Sequence, residues 1–306
     1  MECNFYAYET ACMIRIEERP DGKEILKECE NIAFNVEKTL NMYDSASELS
    51  VMNREYLSGQ PYCVSGLLFE FLETCLKMAE LCRGAFDPTI GGLVRAWGIG
   101  RGAEKVPGKE ERKILLKNMG YTHISLIREK KQVLIDIPGV YLDPGAAGKG
   151  YSIDLVVNYL RKKGIKSACI DFGGNLYVMG DVPERGRIQR KSWTIGIRHP
   201  DDKTKLMAFV EAENEAISTS SWYEHYSENN GKIHSHLIDP FTGMPADTGL
   251  SSVTILSKRG IYADILSTAF YVLGEQKGRE AVARLRAEGI ECRGVLMRAD
   301  GAIAEI

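Results

Sequence analysis

The chain has 306 residues, 44% of them apolar and 26% charged, an ordinary composition for a soluble globular protein and a length for one large domain or two ordinary ones. Extended disorder and low-complexity or collagen-like architectures are excluded. The balance of 39 basic and 42 acidic residues, a net charge of −3, does not by itself recruit a nucleic-acid backbone, although it leaves room for a local basic patch, and no run reaches the ~18 apolar residues of a membrane span.

In chain order, Phe5 to Glu17 reads as a strand. Ile25, Leu26, Cys29, Ile32, Ala33, Val36 and Leu40 recur at spacings of three and four and predict a helix. A second helix carries Val64, Leu67, Leu68, Phe71, Leu72, Cys75, Met78, Ala79 and Cys82, with Gly84 as its stop. Gly84 to Gly102, with Pro88 and Trp97 among glycines, reads as an ordered loop. A short polar helix covers Lys109–Asn118, ahead of Gly120. The alternating runs His123–Ile127 and Gln132–Ile137 predict a hairpin turning from Arg128.

Asp143–Gly150 is a Gly-rich loop opening a helix whose apolar face is Ile153, Val156, Val157 and Leu160, closed by Gly164. Strands then dominate: Ala168–Phe172, Asn175–Met179, Trp193–Arg198, Leu206–Glu211, Ala216–Ser220, Ile233–Ile238 and Ser251–Leu256. Helices at Ile261–Leu273 and Glu280–Ala287 follow, then Gly294–Arg298 and a last short strand. Short strands adjacent in sequence pair antiparallel, so the expected class is α+β. The charged stretch Asp181–Ser192 is expected to be an exposed excursion. Eight scattered cysteines with no CxxC pair read as free thiols of a reducing compartment. The first residues, Met-Glu-Cys-Asn-Phe-Tyr, carry neither the basic nor the apolar region of a signal peptide. The expectation is a cytoplasmic protein with no direct membrane insertion.

Three segments are built unlike core elements. Gly84-Ala-Phe-Asp-Pro-Thr makes a fixed turn that exposes a carboxylate, or simply an Asp-Pro turn over a buried Trp97. Asp143-Pro-Gly-Ala-Ala-Gly-Lys-Gly runs into a helix N-terminus, where amides and Lys149 suit phosphate; the alternative is a helix start with a solvated lysine. It matches neither a Walker A loop nor a GxGxxG fingerprint. Asp264 and Thr268 lie one turn apart on an apolar helix, as two oxygen ligands for a hard cation such as Mg²⁺ would, or with Asp264 as a helix N-cap. The five histidines show no HExxH spacing, which disfavours a zinc hydrolase.

Taken together, these segments resemble the ApbE family of FAD:protein FMN transferases. The resemblance is carried by Ser47-Glu-Leu-Ser50-Val-Met-Asn53, by Gly84-Ala-Phe-Asp-Pro-Thr with Trp97-Gly-Ile-Gly100, and by Asp143–Asp154. It continues with Gly173-Gly-Asn175, with His236-Leu-Ile-Asp-Pro-Phe-Thr-Gly-Met-Pro245, and with Ala263-Asp264, Thr268 and Leu273-Gly274. It spans nearly the whole chain, from about Phe5 to the end. The chain departs from the family at Ala7-Tyr8-Glu9-Thr10, where Ala-Met-Gly-Thr is usual, at Asp143-Pro-Gly-Ala-Ala-Gly-Lys149, and at Thr219-Ser-Ser221 in place of Thr-Ser-Gly.

The resemblance implies a single catalytic unit over residues 1–306. Its fold would be T-fold-related, with antiparallel sheets packed with helices in two lobes and FAD in the cleft between them. It implies Mg²⁺-dependent transfer of FMN from FAD to a Ser or Thr hydroxyl of a partner protein, with release of AMP. The acceptor would carry a D-x-x-[ST]-G-[AS]-[ST] motif. By resemblance, Asp264, Thr268 and the Ala146 carbonyl would hold the metal, and Asp143 and Lys149 the nucleotide. Tyr8, Tyr43, Ala85, Phe86, Asp87 and Ile238 would line the rest, with His236 either the base for the acceptor hydroxyl or a group that positions the diphosphate. Two alternatives stand beside this: an FAD pyrophosphatase yielding FMN and AMP, and a flavin-binding protein without turnover. Asp239-Pro-Phe-Thr242-Gly243 matches the start of the acceptor motif, but its place beside His236 argues against self-flavinylation.

Overall fold

The computed structural model describes residues 1–99, 105–181, 192–199, 202, 204–222, 226–229 and 232–306. Its N-terminal part holds β1 (Glu2–Ala7), β2 (Thr10–Ile16), α1 (Gly22–Leu40), α2 (Glu48–Glu55), β3 (Pro61–Cys63) and α3 (Gly66–Leu81). The middle holds α4 (Gly91–Trp97), α5 (Lys109–Lys117), β4 (Ile124–Ile127), β5 (Gln132–Ile135), α6 (Gly148–Lys162), β6 (Ala168–Phe172) and β7 (Asn175–Met179). Then come β8 (Trp193–Arg198), β9 (Leu206–Ala212), β10 (Glu215–Ser221), β11 (Tyr226–Asn229) and β12 (Lys232–Ser235). The chain closes with β13 (Leu250–Ser257), α7 (Gly260–Ala287), β14 (Cys292–Arg298) and β15 (Ile303–Glu305).

Among the described residues the main sheet runs β1-β2-β6-β7-β10-β13-β14-β15, and every neighbouring pair is antiparallel. The α+β expectation therefore holds. Alternation along the strands sorts the layers. Ile170, Phe172, Tyr177 and Met179 pack with Ile25, Cys29, Val156 and Leu160 beneath α1 and α6. From the opposite face, Leu176, Val178 and Ile217 meet Ile195, Ile197 and Val210 of the β8–β9 hairpin. β13, buried along its length, is the centre on which α7 lies. A second core joins α2, α3, β5 and α7 through Met52, Leu72, Val133 and Phe270. No described helix is long and apolar enough to cross a membrane.

Several expectations need correction. Phe5–Glu17 is not one strand: the chain reverses at Tyr8 and Glu9, which take φ of 54° and 59° in a two-residue turn between Ala7 and Thr10. Such turns usually announce themselves through Asn or Gly, and neither is present. The glycine-rich stretch after Gly84 contains α4, ended by Gly98 at φ 70°. Two leading glycines disguise it; Leu93 and Trp97, both buried, hold it in place. α2 and β3 were not anticipated, nor was β11, which pairs with β12. The strand expected over Ile233–Ile238 ends at Ser235, and Ile238 makes an isolated bridge to Pro245. The two C-terminal helices run together as α7 across a kink at Gly274 (φ 73°, ψ 173°), where the Thr248 hydroxyl donates to the Tyr271 carbonyl at 2.8 Å. The excursion expected at Asp181–Ser192 lies, from 182 to 191, outside the described residues.

Candidate functional site

The floor of the site is the crossing of α6 and α7. Gly150 and Gly260 touch backbone to backbone: a Cβ on Gly150 would stand 2.3 Å from the Gly260 oxygen, and one on Gly260 2.4 Å from the Gly150 oxygen. At this distance each helix supplies a carboxylate to the other's N-terminus. Asp154 of α6 accepts the Gly260 amide, the Ile261 amide at 3.4 Å and Arg259 Nε at 3.1 Å. Asp264 of α7 accepts the Gly150 amide on Oδ2 at 2.9 Å. Asp264 is thus not the N-cap of its own helix, one of the two readings open from sequence; it lies in the second turn and serves α6. Charge-assisted bonds of this kind contribute ~1.5–3 kcal/mol each, because the helix amides have no partner within their own turn.

Burial pushes the pKa of both carboxyls up. For Asp264 the opposing influences are the Lys149 charge, the Gly150 amide, and the Asn175 and Ser218 side chains. One turn further along α7, the Thr268 hydroxyl meets Ser220 Oγ at 3.1 Å, and Ser220 also meets Ser267 at 2.9 Å.

The loop into α6 is held from α2. Asn53 pairs with both backbone groups of Leu142, accepting its amide at 2.8 Å and donating to its carbonyl at 2.9 Å. Next in the chain, Asp143 donates its amide to Pro88 and accepts the Gly145 amide on Oδ1 at 2.6 Å. Desolvation raises its carboxyl to about 6 against that hydrogen bond. The first amides of α6 are largely committed: those of Ala147 and Gly148 donate to Pro144, and that of Gly150 to Asp264. The phosphate cradle of free helix amides read from the sequence is therefore mostly used up, and the cationic feature that remains there is Lys149.

The rim is made of tight turns. Ser47 caps α2, and both Ser47 and Ser50 donate to the Asn41 carbonyl, at 2.6 and 3.1 Å. The early Ser-x-x-Ser motif thus shapes the loop presenting Tyr43, whose hydroxyl donates to the Ile99 carbonyl at 3.0 Å. Asp87 is buried and fully engaged: Oδ1 accepts the Thr89 amide and hydroxyl, and Oδ2 accepts the Tyr121 amide at 2.9 Å. Its pKa is raised by burial. The Tyr8 hydroxyl donates at 2.6 Å to the Ala33 carbonyl and lies 2.7 Å from Ser152 Oγ, while its amide donates to Glu37. Beyond half-buried His236, the segment 237–246 folds back on itself, with Ala246 donating to Leu237 and Asp239 to Met244, each at 2.8 Å. Asp239 accepts the Phe241 amide and the Thr242 hydroxyl, and Trp97 Nε1 donates to Gly243 at 2.9 Å.

Between floor and rim opens a cleft of about 380 Å³. Ala146, Asp264 and Thr268 border it together with Asp143, Lys149, Tyr8, Tyr43, Ala85, Phe86, Asp87, Ile238 and His236, so every site residue named from the sequence lies on one surface. Asn175, Glu37 and Ser220 also border it and were passed over. Asn175 stood in the quoted Gly-Gly-Asn and Ser220 in Thr219-Ser-Ser221; Glu37 carried no motif signal. Among the described residues no three His, Cys, Asp or Glu side chains converge on a metal position. Oxygen donors are what the floor offers: one carboxylate, a hydroxyl one turn away and the carbonyls of the Asp143–Ala147 loop. That set fits a hard divalent cation and does not fit a thiophilic one.

Comparison with known proteins gives one answer. The model of the ApbE family matches residues 8–293. The proteins named FAD:protein FMN transferase from Vibrio cholerae and Treponema pallidum are each 32% identical to this chain. The matches cover 84% and 88% of it, and 76% and 77% of those proteins. The crystal structure of the ApbE protein from Thermotoga maritima is similar with a TM-score of 0.87 at 26% identity, over 99% of this chain and 96% of that one. The flavin transferase ApbE from Vibrio cholerae gives 0.83 at 28%, over 100% and 96%.

Proposed function

This chain belongs to the ApbE family and is a flavin transferase of the FAD:protein FMN type; from that premise we propose that it moves FMN onto a Ser or Thr hydroxyl of a separate protein and releases AMP. The observation that carries this reading is the convergence of Asp264, Thr268, Ala146, Asp143, Lys149 and His236 on one cleft.

Lys149 sets a cation beside the buried Asp264 and attracts the pyrophosphate of FAD. His236 accepts the proton of the acceptor hydroxyl as that oxygen bonds to the FMN phosphorus and the bond to AMP breaks. A Mg²⁺ ion held by Asp264, Thr268 and the Ala146 carbonyl would neutralise pyrophosphate charge and stabilise the leaving AMP. Tyr8, Tyr43, Ala85, Phe86 and Ile238 enclose the nucleotide and exclude water, and Asp87 fixes the turn between them.

The acceptor is a second protein, bearing the D-x-x-[ST]-G-[AS]-[ST] pattern. Thr242, the candidate within this chain, donates its hydroxyl to Asp239 at 3.0 Å and accepts the Met244 amide at 3.3 Å, so it is tied into its own turn. Buried free thiols at Cys12, Cys29, Cys75 and Cys82 support a reducing, cytoplasmic setting.

The test is incubation with FAD and Mg²⁺, with and without an acceptor domain, followed by assay of AMP and intact mass. AMP with an FMN adduct on the acceptor is expected, with no adduct on this chain. AMP in equal amount without acceptor would make the protein an FAD pyrophosphatase. Absence of AMP under both conditions would leave flavin binding alone.

A further inference from the structure

Asn175 opens β7 directly after two left-handed glycines, Gly173 (φ 63°) and Gly174 (φ 91°). That turn is fixed: Gly174 donates to Asp171 at 2.8 Å, and Gly173 packs so closely on Thr10 that a Cβ would lie 2.4 Å from its hydroxyl. The side chain that emerges is 5% exposed and borders the cleft beside Asp264, itself 5% exposed. Its Oδ1 accepts Ser218 Oγ at 2.9 Å, which orients the amide. Its Nδ2 is buried and meets no acceptor in hydrogen-bonding geometry. One hydroxyl ties it to Asp264: Ser218 Oγ lies 2.9 Å from Asn175 Oδ1 and 3.5 Å from Asp264 Oδ1.

Asp264 shows the complementary deficit. Oδ2 has the Gly150 amide, but the donor facing Oδ1 is Ser218 Oγ at 3.5 Å. Ser218 has one hydroxyl proton and spends it on the shorter bond to Asn175. A buried amide with an unanswered N–H therefore lies beside a buried carboxylate with an under-bonded oxygen. A buried donor left unanswered is costly, which favours its engagement by the neighbouring carboxylate.

We infer that Asn175 is a positioning residue: its amide, steered by Ser218, clamps Asp264 Oδ1 so that the carboxylate keeps one orientation toward the cleft. This rests on the reading of Asp264 as the ligand of a divalent cation bound with FAD. The residue touches neither substrate nor cation; it acts through Asp264. Partners that orient a ligating carboxylate typically change metal affinity by ~10–100-fold when removed.

The experiment is a titration of FAD binding to the whole protein, read by flavin fluorescence, across Mg²⁺ concentration and in EDTA. Wild type is compared with Asn175→Leu, which keeps the shape and removes the amide, and with Ser218→Ala, which frees the amide and removes the hydroxyl 3.5 Å from Asp264. Thermal unfolding is followed in parallel. Asn175→Leu is expected to raise the Mg²⁺ needed for half-saturation on the order of tenfold, leaving FAD affinity in EDTA and the unfolding temperature near wild type. Ser218→Ala should move the same quantity in the same direction by less, and keeps the test open if the leucine variant folds poorly. Unchanged Mg²⁺ dependence in both variants overturns the inference. So does a loss of FAD affinity equal with and without Mg²⁺, which would make Asn175 a substrate contact. If wild type itself binds FAD without regard to Mg²⁺, the assignment of Asp264 falls, and the inference falls with it, from a control that does not involve Asn175.

Discussion

At the floor of the cleft, polar groups are answered from far away in the chain: Asp264 takes the Gly150 amide across 114 residues and Asp154 the Gly260 amide across 106. At the rim, long-range bonds such as Trp97 to Gly243 stand beside many that are answered locally. Asp239 holds Phe241 and Thr242 two and three residues on, and Asn41 holds the Tyr43 amide two residues on. A local turn can be altered without disturbing the remainder of the fold. A floor group cannot, because its hydrogen bonds are simultaneously the helix caps and the helix-to-helix contact. The difference separates residues whose loss is felt as instability from those whose loss is felt as altered binding.

The most severe way to probe this contrast is Gly150→Ala. The new Cβ would overlap the Gly260 carbonyl, with backbone on both sides and no flexible side chain to move aside. A loss of about 3 kcal/mol is expected from urea unfolding, together with loss of FAD binding. A variant of wild-type stability would show that the crossing yields and that the floor is no stiffer than the rim.

A change between the two zones sharpens the comparison. The Asp143 carboxyl, raised to about 6 in the folded protein, returns to ~3.9 when the chain unfolds. The folded state therefore holds the proton more tightly. The stability this confers is complete below about pH 4 and lost as pH rises to about 6. Asp143→Asn keeps the acceptor for Gly145 and removes the ionisation. It should be more stable than wild type by about 2 kcal/mol at pH 7–8, the gap closing between pH 6 and pH 4. A pH-independent gap in parallel unfolding curves would refute the shift.

The smallest effect belongs to the rim. Glu9 occupies a left-handed conformation at φ 59° that glycine adopts without strain. Glu9→Gly should raise stability by roughly 0.5 kcal/mol, the strain relieved being partly offset by the greater freedom of an unfolded glycine. A fall in unfolding temperature would mean that the Glu9 carboxylate makes a contact worth more than the strain.

The sequence was most legible where periodicity or punctuation was local. α1, α3, α6 and the strands β6 to β8 fall where apolar spacing and flanking glycines place them. The reversal at Tyr8 and Glu9 was hidden because ordinary residues occupy it, and α4 because Gly91 and Gly92 belong to no helical pattern; Gly91 is needed where a Cβ would lie 2.7 Å from the Tyr141 carbonyl. For the site, the joined motifs drew the right residues to one cleft, but not what each motif does there. Ser47, Ser50 and Asn53 turn out to hold loops, Asp87 a turn, and Asp154 the start of α7. Asn175 was visible as a residue and invisible as a partner of Asp264, because that pairing depends on where β7, β10 and α7 meet in space.

The crossed glycines also set a timetable. A chain made from its N-terminus can pair β1 with β2 and lay α1 on them early, since those contacts are close in sequence. The start of α6 must wait for Asp264, about a hundred residues further along, whereas α7 finds Asp154 already made. The cleft is then completed late, with only β14 and β15 following α7 in the chain. A nascent chain would present no complete flavin site until α7 has docked, and a chain cut short before Gly260 would lack Asp264 and Thr268 altogether.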